Sequence, residues 1–249
     1  MVFIRPDELN SINEDFLNEM PKSLNAVEKN KDLRALIIKS TGKAFCVGLD
    51  INLLTKAFKD EKYFSSVLKR LREIFLQIEN LTLPVVSVVD GVVRAGGFEL
   101  MLSTDIIYAS TNSKIGDVHT NYSVPPGGGS TARLPKIVGT KVAKELIMTA
   151  KWLDSMEAEK LGLINRCIKK ENLDIEVKKL INSLVDKPRS IHEIVKEMIS
   201  SSYELNIEDG TKNEIALFKN YVFKGKDAKE GFNSYIENRD PSWKDTKNN

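Results

Sequence analysis

The 249-residue chain has only two cysteines, Cys46 and Cys167, two histidines, His119 and His192, and two tryptophans. Two cysteines make neither a disulfide framework nor, beside two isolated histidines, a zinc site, so a metal is not expected. No apolar run approaches the roughly 18 residues that a membrane helix requires. An excess of charge is also missing: 37 basic against 35 acidic residues leave a net charge of +2, and no basic stripe with interleaved aromatics points to nucleic acid. Gly127-Gly128-Gly129 lacks the Lys-[Ser/Thr] that would follow in a phosphate-binding loop. The first residues show no charged leader followed by an apolar stretch, so the expectation is a soluble, cytoplasmic protein. The length suffices for one substantial core with a smaller appended element.

What is there begins with Arg94-Ala95-Gly96-Gly97-Phe98-Glu99-Leu100. Two glycines open a predicted helix, and a carboxylate follows in its first turn. A backbone N–H at Gly96 or Gly97 can approach a ligand with no Cβ in the way, and the helix start adds positive potential. Glu99 would then stand beside any carbonyl held there. Before it, Pro84 to Val89 reads as a buried strand closed by Asp90-Gly91, so the glycines fall at a strand's carboxyl end, where α/β folds bind ligands. The same pair could equally serve close helix packing.

A second strand, Leu33 to Ile38, leads into Ser40-Thr41-Gly42-Lys43-Ala44-Phe45-Cys46-Val47-Gly48-Leu49-Asp50, with another glycine near a predicted helix start. A second backbone donor can come from here. Ala44 to Ile51 resembles the A-F-x-x-G-x-D-[LI] pattern of the crotonase superfamily, the enoyl-CoA hydratase/isomerase family. Arg5-Pro6 to Asn10-Ser11-Ile12 is similar to that family's opening motif, and Pro125 to Pro135 to its glycine-rich turn and following helix. Ala158 to Asn165 and Glu230 to Trp243 match two further segments, so the resemblance covers nearly the whole chain.

The resemblance implies an α/β fold, a crotonase-like spiral of ββα units over residues 1–187, with a helical trimerisation region over 188–249. It implies a homotrimer or dimer of trimers, a lyase acting on an acyl-CoA, and no cofactor beyond the CoA of the substrate. It places the oxyanion hole at the backbone N–H groups of Val47 and Gly96. Two convergent donors stabilise charge developing on a thioester oxygen, and losing one typically costs about 3 kcal/mol of barrier. Relatives begin with a further strand before the opening motif, so the first hairpin is expected to be absent or altered.

One position departs from the family. Hydratases carry a glutamate where Glu99 stands and a second about twenty residues on, in a stretch that aligns with Gly116-Asp117-Val118-His119, so His119 replaces it. Isomerases that rely on the second glutamate are disfavoured. Hydration needs one group to take a proton from water and another to deliver one to the α-carbon, and a glutamate with an imidazole can fill both roles. If residues 117–119 are extended, Asp117 and His119 face the same way and the carboxylate can fix the ring's tautomer. Read blandly, His119 only shapes the pocket and Asp117 is a turn residue.

Three functions therefore stand side by side: hydration of a 2-enoyl thioester, which leads; hydrolysis or decarboxylation of a β-keto or malonyl-type thioester using His119; and acyl-thioester binding without turnover. Ala44, Cys46, Leu49, Asp50, Lys56, Gly97, Tyr122 and Phe223 are candidate substrate-binding residues. A nucleophilic role for Cys46 is disfavoured, and His192 receives no chemistry. The places where the family sets lysines for the coenzyme phosphates hold Asp7-Glu8 and Asn52. Lys56, or Lys224, Lys226 and Arg239 of a neighbouring subunit, could substitute, and an acyl-carrier-protein thioester is the alternative substrate.

Predicted helices span Phe16–Glu28, Tyr63–Asn80, Val142–Thr149 and Glu171–Leu184, with a breaker at Asp186–Arg189. The tail from Ser190 to Glu237 reads as amphipathic helix with interruptions at Asn206–Gly210 and Lys224-Gly225.

Overall fold

A computed structural model describes residues 1–243. Strand β1 (Val2–Phe3) leads into helix α1 (Glu14–Lys29). The Asn13 side chain caps α1 by accepting from the Phe16 N–H at 2.9 Å. Leu17, Met20 and Leu24, three to four residues apart, form its buried face. Three repeats follow. β2 (Leu36–Ser40) and β3 (Ala44–Cys46) precede α2 (Ile51–Ala57) and α3 (Glu61–Glu79); β4 (Val85–Val89) and β5 (Val92–Arg94) precede α4 (Gly96–Leu102); β6 (Ile106–Ser110) and β7 (Lys114–Gly116) precede α5 (Ser130–Val138) and α6 (Thr140–Met148). The chain then runs through β8 (Leu153–Asp154), α7 (Ser155–Lys160), β9 (Arg166–Ile168) and α8 (Leu173–Val185) to the tail helices α9 (Arg189–Ser202), α10 (Ile207–Lys224) and α11 (Lys226–Glu237).

Each repeat gives its first strand to one sheet and its second to another. The first sheet has the order β1-β2-β4-β6-β9, all parallel, and the second the order β3-β5-β7-β8, parallel except for the antiparallel β7–β8 pair. This split of every strand pair is the ββα spiral. β4, Val-Val-Ser-Val-Val, is buried along its whole length, as a central parallel strand covered on both faces must be. Alternation sends Val85 and Val89 into the main core, while Val86 and Val88 join Ile168, Leu173 and Val177 beneath α8.

The strands and helices predicted from periodicity all form, with ends shifted by at most three residues. The tail differs in one place. Its first interruption falls at residues 203–206, because the Asn206 side chain caps α10 by accepting from the Asp209 N–H at 2.9 Å, so Gly210 lies inside the first turns of α10. At the other end of the tail's first helix, Arg189 is only 3% exposed and donates to Thr82, Glu28 and the Asn30 carbonyl, which fixes the start of α9 to the core.

Candidate active site

Three strands of the second sheet lie side by side, and each ends at a residue singled out by sequence. β3 ends one residue before Val47, β5 two before Gly96, and β7 three before His119; β5 pairs with both others. The carboxyl ends of adjacent parallel strands thus bring the three segments together.

The first two are fitted to each other by glycine. Gly48 has φ +91, and a Cβ there would stand 2.9 Å from the Gly96 nitrogen. The opening motif holds this loop from the other side: Ile12 N–H donates to Gly48 O at 2.8 Å, and Asp50 N–H to Ile12 O at 2.9 Å. Asn10, buried, donates to the Ala44 and Thr41 carbonyls at 2.7 and 2.8 Å. Gly96 is the first residue of α4, so its N–H has no partner within that helix. Ala95 before it adopts φ 50 and ψ −125, a strained conformation for a residue with a side chain. Its N–H is tied to the Asp117 carbonyl at 3.0 Å, which links the start of α4 to the His119 loop.

Glu99 lies one turn into α4 and is 1% exposed. Its Oε1 accepts from the Gly128 N–H at 2.7 Å and the Ser130 N–H at 3.2 Å. The glycine turn that opens α5 therefore cradles the carboxylate with the N–H groups of a helix start. Arg133 braces that turn, donating to the Gly128 carbonyl at 2.9 Å while its fork grips Glu79 at 2.6 and 2.8 Å. Burial pushes the Glu99 carboxyl above its ordinary range, against the His119 charge and the two N–H donors, which pull it down.

His119 Nε2 stands 4.0 Å from Glu99 Oε2, a spacing at which one oxygen atom can hydrogen-bond to both groups. Nδ1 is 2.8 Å from Asp117 Oδ1. Burial disfavours the imidazolium, but the hydrogen bond and charge of Asp117, with the charge of Glu99, outweigh it and hold His119 above its ordinary value. The segment is not extended. Val118 has φ 52 and His119 opens a short 3-10 turn to Tyr122, so Asp117 meets the ring through a tight turn, in place of the alternation of a strand.

Several candidate binding residues have other employment. The Ala44 and Cys46 side chains are buried in the core, so only their backbone could meet a ligand, and burial pushes the Cys46 thiol up to about 12, which leaves it un-ionised, in line with the disfavoured nucleophilic role. Asp50 caps α2, accepting from the Asn52 and Leu53 N–H groups, and also accepts from Ser11. Gly97 lies under the Cys46 carbonyl, where any Cβ would collide, so it serves close packing. Leu49 is half-buried beside Ile12 in an isolated bridge. Lys56 places its ammonium 4.2 Å from the centre of the Tyr63 ring, and Tyr122, exposed, receives a hydrogen bond from Arg94 at 3.3 Å. Phe223 is exposed on α10, and Arg239 is paired with Glu230 and Glu237 of its own chain. His192 bonds the Leu184 carbonyl, a structural contact. Among the described residues no group of three His, Cys, Asp or Glu side chains is placed to hold a metal, and no helix is long and apolar enough to cross a membrane.

Sequence reasoning missed the Gly128 and Ser130 N–H groups as the cradle of Glu99, and Arg133 behind them. The signal was present, since a triple glycine opening a helix is an anion site. What it lacked was the anion, 29 residues away in the chain.

Comparison with known proteins agrees with this architecture. The model of the enoyl-CoA hydratase/isomerase family matches residues 1–247. The chain is 31% identical to a crotonyl-CoA hydratase of Syntrophomonas wolfei over 94% of its length and 90% of the relative's. It is 30% identical to a short-chain-enoyl-CoA hydratase of Clostridium acetobutylicum over 94% and 89%. The crystal structure of an enoyl-CoA hydratase from Bacillus anthracis superposes with a TM-score of 0.91 at 26% identity, covering 97% of this chain and 95% of that one. The split ββα repeats, the glycine-fitted loops at their strand ends and the match along the whole chain together make this protein a member of the enoyl-CoA hydratase/isomerase family, within the crotonase superfamily.

Proposed function

We propose that the protein hydrates a 2-enoyl-CoA thioester. The thioester oxygen is held by the Val47 and Gly96 N–H groups, so that the electrons displaced when water adds at C3 rest on an oxyanion. Water gives its hydroxyl to C3 and one proton to the Glu99–His119 pair, and the pair returns one proton to C2. The product is the 3-hydroxyacyl thioester, and both groups regain their starting state. The observation that carries this reading is Glu99, buried and gripped at one oxygen by two backbone N–H groups, with its other oxygen 4.0 Å from His119 Nε2. Two proton-transferring groups within reach of one water are what addition of water requires. The hydratases among the chain's relatives support the same choice.

No resident cofactor enters this chemistry, and the CoA is part of the substrate. Lys56, in the last turn of α2, is the candidate for its phosphates. Exposed Ile199, Ile207, Ile215, Phe218, Phe223 and Phe232 on α9 to α11 support a trimer or dimer of trimers built through residues 188–249, with Phe223 offered to a neighbouring subunit's ligand. The proposed location is the cytoplasm.

Mass spectrometry after incubation with 2-enoyl, β-keto and malonyl-type CoA thioesters tests the assignment. Gain of one water without release of CoA is the expected result. Release of an acid fragment or carbon dioxide would move the protein to hydrolysis or decarboxylation, which the Asp117–His119 pair could also serve as a general base. No change with any thioester would leave a binding protein.

A further inference from the structure

Replacing a glutamate by a histidine changes the charge of a proton-sharing pair. Two glutamates holding one proton carry one net negative charge, whereas a glutamate and a histidine that keeps its Nδ1 hydrogen carry no net charge when they hold one shared proton. Asp117 supplies the missing charge. Its side chain is fully buried, its Oδ1 accepts from the His119 ring at 2.8 Å and from the His119 backbone N–H at 3.3 Å, and its Oδ2 has no hydrogen-bond partner. With Asp117 ionised, the trio carries one net negative charge whether the shared proton sits on Glu99 or on His119.

Resting on the acid–base reading of Glu99 and His119, we propose that Asp117 and His119 together take the place of one carboxylic acid. His119 Nε2 exchanges the proton, and Asp117 is the positioning residue that fixes the ring and restores the charge. A carboxylate accepts and never donates, so contact with Asp117 puts the hydrogen on Nδ1 and leaves the Nε2 lone pair directed toward Glu99.

Three observations favour this over a turn contact alone. A turn needs only one acceptor oxygen, which an amide also provides, yet here a second carboxylate oxygen is kept buried without a hydrogen-bond partner, an arrangement that disfavours the fold. Val118, β-branched, is held at φ 52 at the point that brings the two side chains together. The Asp117 carbonyl accepts from the Ala95 N–H, which ties the dyad to the helix bearing Glu99. The charged groups facing the ring are Asp117 from its own loop and Glu99 from α4; α6, also packed against this turn, meets it through the Ile147 carbonyl, which accepts from Thr120.

With only two histidines in the chain, NMR of the ring nitrogens in the intact protein tests this directly. His192 bonds a carbonyl through Nε2, so its neutral ring must carry the hydrogen there, the opposite tautomer from that expected of His119, and it serves as the internal reference. In the wild type, His119 is expected as the Nδ1–H tautomer with a titration midpoint above 6.5. Asp117→Asn is expected to lower that midpoint and, in the wild-type background, to reduce kcat on the order of 10²-fold or more with little change in KM. Combined with His119→Glu, the same change should instead raise kcat above that of His119→Glu alone, because it then removes a surplus charge. An Nε2–H ring in the wild type, an unshifted midpoint in Asp117→Asn, or equal loss of activity in both backgrounds would overturn the proposal. If Asp117→Asn does not fold, the wild-type tautomer and midpoint decide. If the wild type hydrates no enoyl-CoA, the proposed reaction fails while the ring measurements still judge the dyad.

Discussion

The Gly128 N–H donates to Glu99 Oε1 at 2.7 Å, and the same residue leaves no room for a side chain: a Cβ would stand 2.5 Å from Glu99 Oε2 and 2.9 Å from the Phe75 ring. Phe75 is buried in the core, so the carboxylate is the partner that moves. Gly128→Ala is expected to displace Glu99 from its cradle and lower kcat by about 10²-fold, the scale of general acid–base catalysis. Thermal denaturation should register a smaller loss than a core truncation of about 2–5 kcal/mol. An alanine variant with undiminished kcat would detach Glu99 from the chemistry.

Glu99→Gln keeps the shape and one acceptor oxygen for the two N–H donors but can neither take nor give the reacting proton. The expected outcome is a loss of kcat of about 10²–10⁴-fold with thioester affinity within a few-fold of wild type. Steady-state kinetics on a 2-enoyl-CoA together with calorimetric binding of the 3-hydroxyacyl product separates the two effects.

The two glycine-fitted loops proposed as the oxyanion site were legible in the sequence because each is written locally, as a glycine placed shortly after a short strand. Glu99 was legible for the same reason, lying three residues into a helix that glycines open. The cradle around it was not, since Gly128 and Ser130 reach it across 29 and 31 residues, and no local pattern records such a meeting. The Asp117–His119 contact was foreseen for the wrong geometry. Extended backbone puts alternate side chains on one face, but a left-handed Val118 is what closes the contact to 2.8 Å, and valine is among the residues least expected there. In the tail, Gly210 reads as a breaker, yet the capping side chain of Asn206 overrides it and moves the helix start upstream.

Stability should depend on pH through the same pair. Glu99 and His119 both bind protons more tightly in the folded protein than their ordinary values near 4.5 and 6.5. For a raised folded value, protonation favours the fold, so the contribution is complete below the unfolded value and is lost as pH rises through the folded one. His119 therefore stabilises fully below pH 6.5 and progressively less above it. Urea midpoints measured from about pH 5.5 to 8.5 should fall across the upper part of this range, and His119→Gln should flatten that part of the curve. A wild-type midpoint that rises through this window, with the variant parallel to it, would contradict the assignment.

Gly48 offers a test of the proposed oxyanion donors that does not touch either proposed acid–base group. An alanine at its φ of +91 is strained, and the added Cβ meets backbone and short side-chain atoms: the Gly96 nitrogen at 2.9 Å, the Ala95 Cβ at 3.1 Å and the Arg94 carbonyl at 3.5 Å. None of these is the far end of a flexible chain, so the Val47 loop and the start of α4 must separate. Gly139 is the control, with φ +81 and nothing within 4 Å of the place a methyl group would take, so alanine there brings the backbone strain alone. Gly139→Ala should destabilise by about 1–3 kcal/mol through its positive φ alone, and Gly48→Ala by more, because the clash adds to the strain. Only Gly48→Ala should also lose activity, by about 10²–10³ in kcat, the scale of removing one oxyanion donor. Equal kcat in the two variants, assayed where both are folded, would take the proposed oxyanion site away from Val47 and Gly96, because a donor pair that tolerates this separation is not holding the reacting oxygen.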